Sequence, residues 1–214
     1  MTNDNMLARL AARLDVLEAI RDVLYRYARG ADRCDLALFK SCYWPDANDC
    51  HWFWNGNAHA FADWVIPVLR ELPNSQHSFT NPIIDQAPDG NPDRAFVECH
   101  WYVLQRIPRA VGTLLNQQTQ GTFIDQQTEG RYLDVFERRG GEWKILHRQV
   151  TIEAMREFVT PDLLAGFPAV HSARAQRAPT DAVYRGEAIA ADAPSPAPGV
   201  ELWEDAHRRH PFRA

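Results

Sequence analysis

In QHSFTNPIID, residues 76–85, a histidine opens a segment that otherwise alternates like a half-buried strand. His77 stands where such a strand would more often carry valine. Upstream, the stretch YARGADRCD at residues 27–35 holds Asp32. If the fold brings the two together, the chemistry is proton abstraction. A free imidazole titrates near ~6.5, so it is a competent general base at neutrality when one ring nitrogen is open. A buried carboxylate on the other nitrogen fixes the tautomer and stabilises the imidazolium as it forms. Each residue also has a plainer reading. Asp32 can end a helix in a turn, and His77 can be an ordinary hydrogen-bonded strand histidine. Arg148, in WKILHR, can pair with Glu153 or an acidic helix face, and Tyr27 can be a core residue with its hydroxyl at the rim.

Several elements must position these side chains. Residues 4–31 carry helical periodicity through Leu7, Leu10, Leu14, Leu17, Ile20, Leu24, Tyr27 and Ala31. Asn3 or Asp4 can cap the start, and Gly30 marks the unwinding end. A short helix fits DLALFKSCY with Asp35 as its N-cap. PDANDCHWFWNG alternates like a strand and predicts a turn at Asn55-Gly56. AHAFADWVIPVLREL predicts a third helix with Phe61, Trp64, Val65, Val68, Leu69 and Leu72 on the apolar side, kinked or weakened at Pro67. Strands are predicted at 76–86, 94–107, 119–137 and 142–154, the first two joined through APDGNPD and the last two by a tight RRGGEW hairpin. The implied class is α+β: helices packed on one side of a curved antiparallel sheet, in a cone-shaped half-barrel able to hold a small ligand. One domain over 1–171 is expected, followed by a Pro/Ala-rich arm over 172–214. That arm is either a frayed tail or a strap docking Trp203 and Phe212 onto its own or a neighbouring subunit.

The totals exclude several classes. With 23 basic and 28 acidic residues among 214, the formal charge is -5, and no basic block suggests nucleic acid. No apolar run reaches membrane length and MTNDNMLARL is not a signal peptide, so a cytoplasmic protein with no membrane or nucleic-acid partner is expected. Cys34, Cys42, Cys50 and Cys99 lack metal or disulfide spacing and are expected as free, mostly buried thiols. A zinc site from His51, His59, His77 and His100 is disfavoured, because no metal-binding histidine motif is present. Phosphate-binding glycine loops and the G-x-S-x-G elbow are absent too, so chemistry by side chains alone is expected, with no cofactor. The aromatic residues suggest a flat aromatic or polycyclic ligand. Strand alternation puts Trp52 and Trp54 on one face and His51 and Phe53 on the other, with Tyr43, Trp44, Trp101 and Tyr102 on flanking segments. Trp52, Trp54, Trp101, Tyr43 and Asn81 are the expected substrate contacts; core or subunit-interface packing is the alternative for the aromatic ones.

Three pieces in order, IRDVLYRYARGADRCD, HSFTNPIID and GRYLDVFERRGGEWKILHRQVTIE, resemble the SnoaL-like group of the nuclear transport factor 2-like superfamily. The resemblance covers roughly residues 14–155 and stops short of the tail. It implies a cone-shaped α+β fold and, by similarity to the dehydrochlorinase and bile-acid 7α-dehydratase members, a cofactor-free lyase. It places Asp32 at the family's orienting aspartate, His77 at its base, Arg148 at its last-strand arginine, and Tyr27 at the dehydratase tyrosine five residues before the aspartate. Tyr27 would then hydrogen-bond or protonate a departing hydroxyl, and Arg148 would stabilise developing negative charge on oxygen. The resemblance extends to diarylpropane-deformylating lyases, in which loss of water is coupled to release of formaldehyde. Steroid-type dehydration and polyketide cyclisation are mechanistic neighbours. A different class stays open: the non-catalytic small subunit of a ring-hydroxylating dioxygenase, or a ligand-binding scaffold. A homo-oligomer, trimer or dimer, is implied.

Overall fold

A computed structural model of the chain describes residues 3–51, 53–108, 123–160 and 175–190. The first helix, α1 (Asn3–Asp32), buries Val16, Ile20, Val23, Leu24, Tyr27 and Ala31, the stripe its periodicity requires. Leu7, Leu10 and Leu14 continue that stripe toward the N-terminus but are exposed, so burial begins only at Val16. At its other end Gly30 lets α2 (Leu36–Ser41) approach, since a Cβ there would lie 2.8 Å from the backbone nitrogen of Phe39. Asp35 caps α2 as expected, its carboxylate accepting from the Leu38 N–H at 3.0 Å.

Two strands follow, β1 (Tyr43–His51) and β2 (Trp54–Asn57). Here the sequence expectation needs correction. The reversal falls at Phe53, while Asn55 and Gly56 lie inside β2 opposite Cys50 and Asp49. Asn-Gly is the stronger turn signal in isolation; pairing with β1 claims it for the strand. The next helix, α3 (Ala58–Arg70), has Pro67 inside it and buries Ala58, Phe61, Ala62, Val65, Ile66 and Leu69. Trp64 and Val68, expected on the buried side, are nearly half exposed. At 100° per residue the buried arc runs from Phe61 round to Ile66, and those two fall beyond its Phe61 edge.

Four long strands complete the sheet: β3 (Asn74–Gln86), β4 (Arg94–Pro108), β5 (Phe123–Arg139) and β6 (Glu142–Thr160). The β5–β6 hairpin turns on Gly140 and Gly141, whose φ angles of 60° and 91° suit residues without a Cβ. Strand order is β2-β1-β6-β5-β4-β3, and every pair is antiparallel except β1–β6. The sheet is therefore mixed rather than purely antiparallel. It is curved and unclosed, and the helices cover one face. Tyr27, Phe39 and Phe61 from the helices meet Val97, Cys99, Tyr132, Phe136 and Ile145 from the strands in the core. This is the α+β arrangement expected.

Residues 175–190 end in a 3-10 segment, Ala182–Ala190, and dock on their own chain. Arg177 donates to the Leu69 carbonyl at 2.8 Å, and Arg33 pairs with Asp181 at 3.2 Å. Trp203 and Phe212, expected to anchor the arm, lie outside the described residues. Among the described residues no helix is long and apolar enough to cross a membrane.

Candidate active site

Asp32 is the last residue of α1, and His77 is near the start of β3, the edge strand of the sheet. An outward N–H on an edge strand has no ladder partner and must find another when buried. Asp32 supplies it: the His77 backbone N–H donates to Oδ2 at 2.9 Å, and His77 Nδ1 lies 2.6 Å from Oδ1. The Ser75 hydroxyl donates to the same Oδ1 at 3.4 Å. A carboxylate facing Nδ1 assigns the proton to that nitrogen and leaves Nε2 open. Both side chains are about nine-tenths buried, His77 at 9% exposure and Asp32 at 11%. The sequence's two separated residues form one dyad.

Behind the dyad lies a cluster of tyrosines around one guanidinium. The Tyr27 ring meets the His77 ring edge-on at 6.4 Å and the Tyr43 ring at 6.0 Å. Arg148 is fully buried and gripped bidentately by Asp134, through Nε at 2.8 Å and Nη2 at 2.7 Å. The guanidinium carbon Cζ sits 3.8 Å from the Tyr132 ring centroid and 4.3 Å from that of Tyr27, close enough for strong cation–π attraction. Burial works against the Arg148 charge, but Asp134, Tyr43 and Tyr27 together outweigh it and the pKa rises. Burial pushes the Tyr27 phenol up to about 12, against the pull of Arg148, and raises Tyr43 and Tyr132 as well. These phenols are neutral donors. Arg148 Nη1 is buried with no hydrogen-bond partner among the described residues. Arg148 thus pairs with Asp134 rather than Glu153, which binds Arg131 at 2.7 Å.

The expected substrate contacts divide. Trp101 is buried, stacks on Tyr132 at 5.6 Å, and has an indole N–H without a partner among the described residues. Tyr43 is buried, but its hydroxyl is committed to Asp49 Oδ2 at 2.5 Å. Trp54 belongs to a cluster on α3, 5.7 Å from Phe61 and 5.9 Å from Trp64. The turn at Phe53 breaks the expected alternation, so His51, Phe53 and Trp54 all gather round Phe61 instead of dividing between two faces. Asn81 is exposed at the β3 bulge between Thr80 and Ile83, with φ of 53°, and is not among the groups around the dyad. A bulge re-aims its extra residue, which alternation cannot foresee. Trp52 lies outside the described residues. Trp44 turns to the sheet's other side, where Arg139 and Lys144 cover it.

Sequence reasoning missed Tyr132, Asp134, Ser75 and a second histidine–carboxylate pair. On β1, His51 Nδ1 lies 2.5 Å from Asp49 Oδ1, and Asp49 is fully buried. The D-x-H spacing, two residues apart on a strand, was a readable signal that both side chains share a face. Among the described residues no three His, Cys, Asp or Glu side chains gather as a metal-binding group.

No curated protein matches the chain in sequence. Solved structures do match in fold. A scytalone dehydratase candidate from Novosphingobium aromaticivorans superposes with a TM-score of 0.57 at 14% identity, covering 72% of this chain and 97% of that one. A hexachlorocyclohexane dehydrochlorinase gives 0.55 at 19% identity, with 71% and 92% covered. A candidate aromatic ring hydroxylase from Novosphingobium aromaticivorans gives 0.53 at 16%, with 65% and 91% covered. At such identities the likeness is one of fold. The family is set by sequence: residues 12–149, which run from within α1 into the first half of β6 and include Tyr27, Asp32, His77 and Arg148, match the SnoaL-like domain, and the chain belongs to that family.

Proposed function

We propose that this protein is a cofactor-independent lyase that eliminates water from a hydroxylated aromatic or polycyclic small molecule. His77 Nε2 removes the proton, and Asp32 orients the ring and stabilises the imidazolium formed. Tyr27 and the Arg148 guanidinium behind it stabilise the negative charge that develops on a substrate oxygen. Trp101 offers an aromatic wall and one unpaired N–H for a flat substrate. The observation carrying this reading is the dyad itself: one carboxylate holds both the Nδ1 and the backbone N–H of the same histidine. The names of two fold relatives, a dehydratase candidate and a dehydrochlorinase, belong to elimination chemistry as well.

In its specific form the substrate is a lignin-derived diarylpropane. Loss of a benzylic hydroxyl from the phenolic substrate gives a quinone methide, and formaldehyde then leaves from the neighbouring hydroxymethyl group to give a stilbene. The test is incubation with hydroxylated diarylpropanes while following stilbene absorbance and formaldehyde. A His77→Ala protein that keeps full turnover removes the proposed base. A hollow that binds no such substrate, in a protein requiring a partner chain for stability, favours a scaffold instead.

A further inference from the structure

The outward backbone groups of a buried edge strand need side chains or water where a neighbouring strand would otherwise pair with them. Asp32 takes one such group of β3, the His77 N–H. Another, the Ser75 carbonyl two residues earlier, accepts from Arg177 Nη1 at 3.4 Å. Arg177 comes from the docked segment 175–190, beyond residues 12–149 that match the family. Its Nη2 donates to the Leu69 carbonyl in the last turn of α3 at 2.8 Å, where a cation also suits the helix dipole. The same nitrogen donates to Cys34 Sγ at 3.3 Å. Cys34 follows Asp32 by two residues, and Ser75 precedes His77 by two. One guanidinium therefore ties the end of α1 to the start of β3, beside the dyad that spans the same gap.

Ser75 is fully buried and carries the tie inward, because its hydroxyl donates to Asp32 Oδ1. Cys34 has a φ of 51°, a left-handed conformation that a side chain adopts only when its surroundings impose it. The segment that delivers Arg177 is itself pinned to this turn. Arg33 donates to the Gln176 carbonyl at 3.0 Å and pairs with Asp181, and Tyr184 hydrogen-bonds Asp35. Burial lowers the Arg177 pKa, against the pull of neighbours that include Asp32. Its Nε is buried with no hydrogen-bond partner among the described residues. A segment that only covered apolar surface would carry leucine or methionine here, with no charge to desolvate.

We infer that Arg177 is a positioning residue for the dyad: it clamps the turn after Asp32 to β3, so that one carboxylate meets both the ring nitrogen and the backbone N–H of His77. For the activity it serves, this rests on the lyase reading above. The clamp touches no substrate and moves no proton. Its loss leaves the spacing of α1 and β3 here to packing and to the dyad's own hydrogen bonds, and a displacement of about 1 Å at a reacting group costs on the order of 100-fold in rate. The docked arm is then part of the active-site architecture, although it lies outside the residues that define the family.

The test uses the full chain with Arg177→Met, which keeps much of the side chain's length without its donors, and Arg177→Lys, which keeps charge and donors. On the hydroxylated diarylpropane Arg177→Met is expected to lower kcat about 30- to 100-fold while KM stays within about threefold. Arg177→Lys is expected to recover about tenfold of that loss. Proton and nitrogen-15 NMR without substrate reads the dyad directly. The His77 Nδ1–H signal is expected to exchange slowly in the wild type and Arg177→Lys, and to broaden or vanish in Arg177→Met. Wild-type kcat in Arg177→Met, a change confined to KM, equal losses in the two variants or an intact Nδ1–H signal overturns the assignment. Asp181→Asn gives a second route that leaves Arg177 in the sequence. Hydrogen exchange over residues 175–190 reports release of the segment, and kcat is expected to fall with it; a released segment with wild-type kcat also overturns the clamp. A wild-type protein inert toward the diarylpropane, whose Nδ1–H signal still depends on Arg177, sinks the substrate reading and supports the clamp.

Discussion

Asp32→Asn is the sharpest probe of the dyad, because the two side chains have the same shape and differ only in what they can accept. Asp32 presents two acceptor oxygens to three donors: the His77 backbone N–H at 2.9 Å, the His77 Nδ1 proton at 2.6 Å and the Ser75 hydroxyl at 3.4 Å. Asparagine has one acceptor oxygen and an NH2. If the NH2 faces the backbone N–H, two buried donors oppose each other, a cost of about 1–3 kcal/mol. If it faces Nδ1, that nitrogen must become the acceptor, and the ring proton moves to Nε2. Tautomer exchange in a neutral imidazole is the cheaper course, so the second arrangement is expected. The base is then blocked, and turnover falls on the order of 10⁴-fold, the size such a reversal has in a Ser-His-Asp triad. Stability falls by about 1–2 kcal/mol with the loss of charge-assisted bonds. Denaturant midpoints, kcat and nitrogen-15 shifts of His77 measure the three quantities together. A variant of unchanged midpoint that keeps the Nδ1 proton and its turnover would refute the role given to Asp32.

Asp134→Leu leaves the Arg148 charge buried without its partner and should cost about 3–5 kcal/mol in urea unfolding. Adding Arg148→Met should restore most of that stability but not activity, whereas an additive further loss would show that the pair is not coupled. The Tyr27 phenol is raised by burial from its ordinary value to about 12. Its contribution is therefore whole below the unfolded value near ~10 and is lost as pH rises through the folded one, about 3 kcal/mol in all. Alkaline unfolding followed by phenolate absorbance should show this, with Tyr27→Phe shifting the transition upward in pH. Asp181 is held below the usual carboxylate range by the N–H groups of Val183 and Gln176, with Arg33 beside it. Its hold on the docked segment is present above ~3.9 and fades as pH falls through the lower folded value. Hydrogen exchange over residues 175–190, corrected for intrinsic rate, should rise in that acid window for the wild type and be fast already at neutral pH in Asp181→Asn.

Much of this was legible in the chain because it depends on local rules. The α1 stripe ends in Tyr27, Ala31 and Asp32, and a Gly-Gly hairpin fixes where β5 turns into β6. What escaped depends on register. A hairpin centred on Gly140–Gly141 pairs Arg139 with Glu142, and counting outward would set Arg148 against Leu133. A one-residue shift between Phe136 and Val135 sets it against Asp134 instead. A single bulge thus decides whether the arginine meets a carboxylate or a leucine, and nothing in the composition announces it. The parallel pairing of β1 with β6 was hidden for a related reason. It joins residues about a hundred positions apart, so no turn residue marks it, and it alone brings Asp49 beside Arg148.

The buried polar inventory bears on whether the concave face serves catalysis or assembly. A scaffold gains nothing from charges in its core, and exchanging a buried ion pair for hydrocarbon of similar volume is often neutral or stabilising. This chain buries Asp32, Asp49, Asp134 and Arg148 on one side of a single sheet, next to two histidines each held through Nδ1 by a carboxylate. Among the described residues Arg148 Nη1 and Trp101 Nε1 are also buried without a hydrogen-bond partner, a cost of about 1–3 kcal/mol each when no partner arrives. Groups kept at such cost are accounted for when a substrate oxygen supplies the missing partner and the fixed dipoles stabilise the charge that forms on it. Trp101→Phe separates the two readings, because it removes one unpaired donor and little volume. The lyase reading expects unchanged or greater stability with weaker substrate binding, seen as a raised KM. A scaffold whose core merely tolerates the indole expects the same gain in stability with ligand affinity untouched.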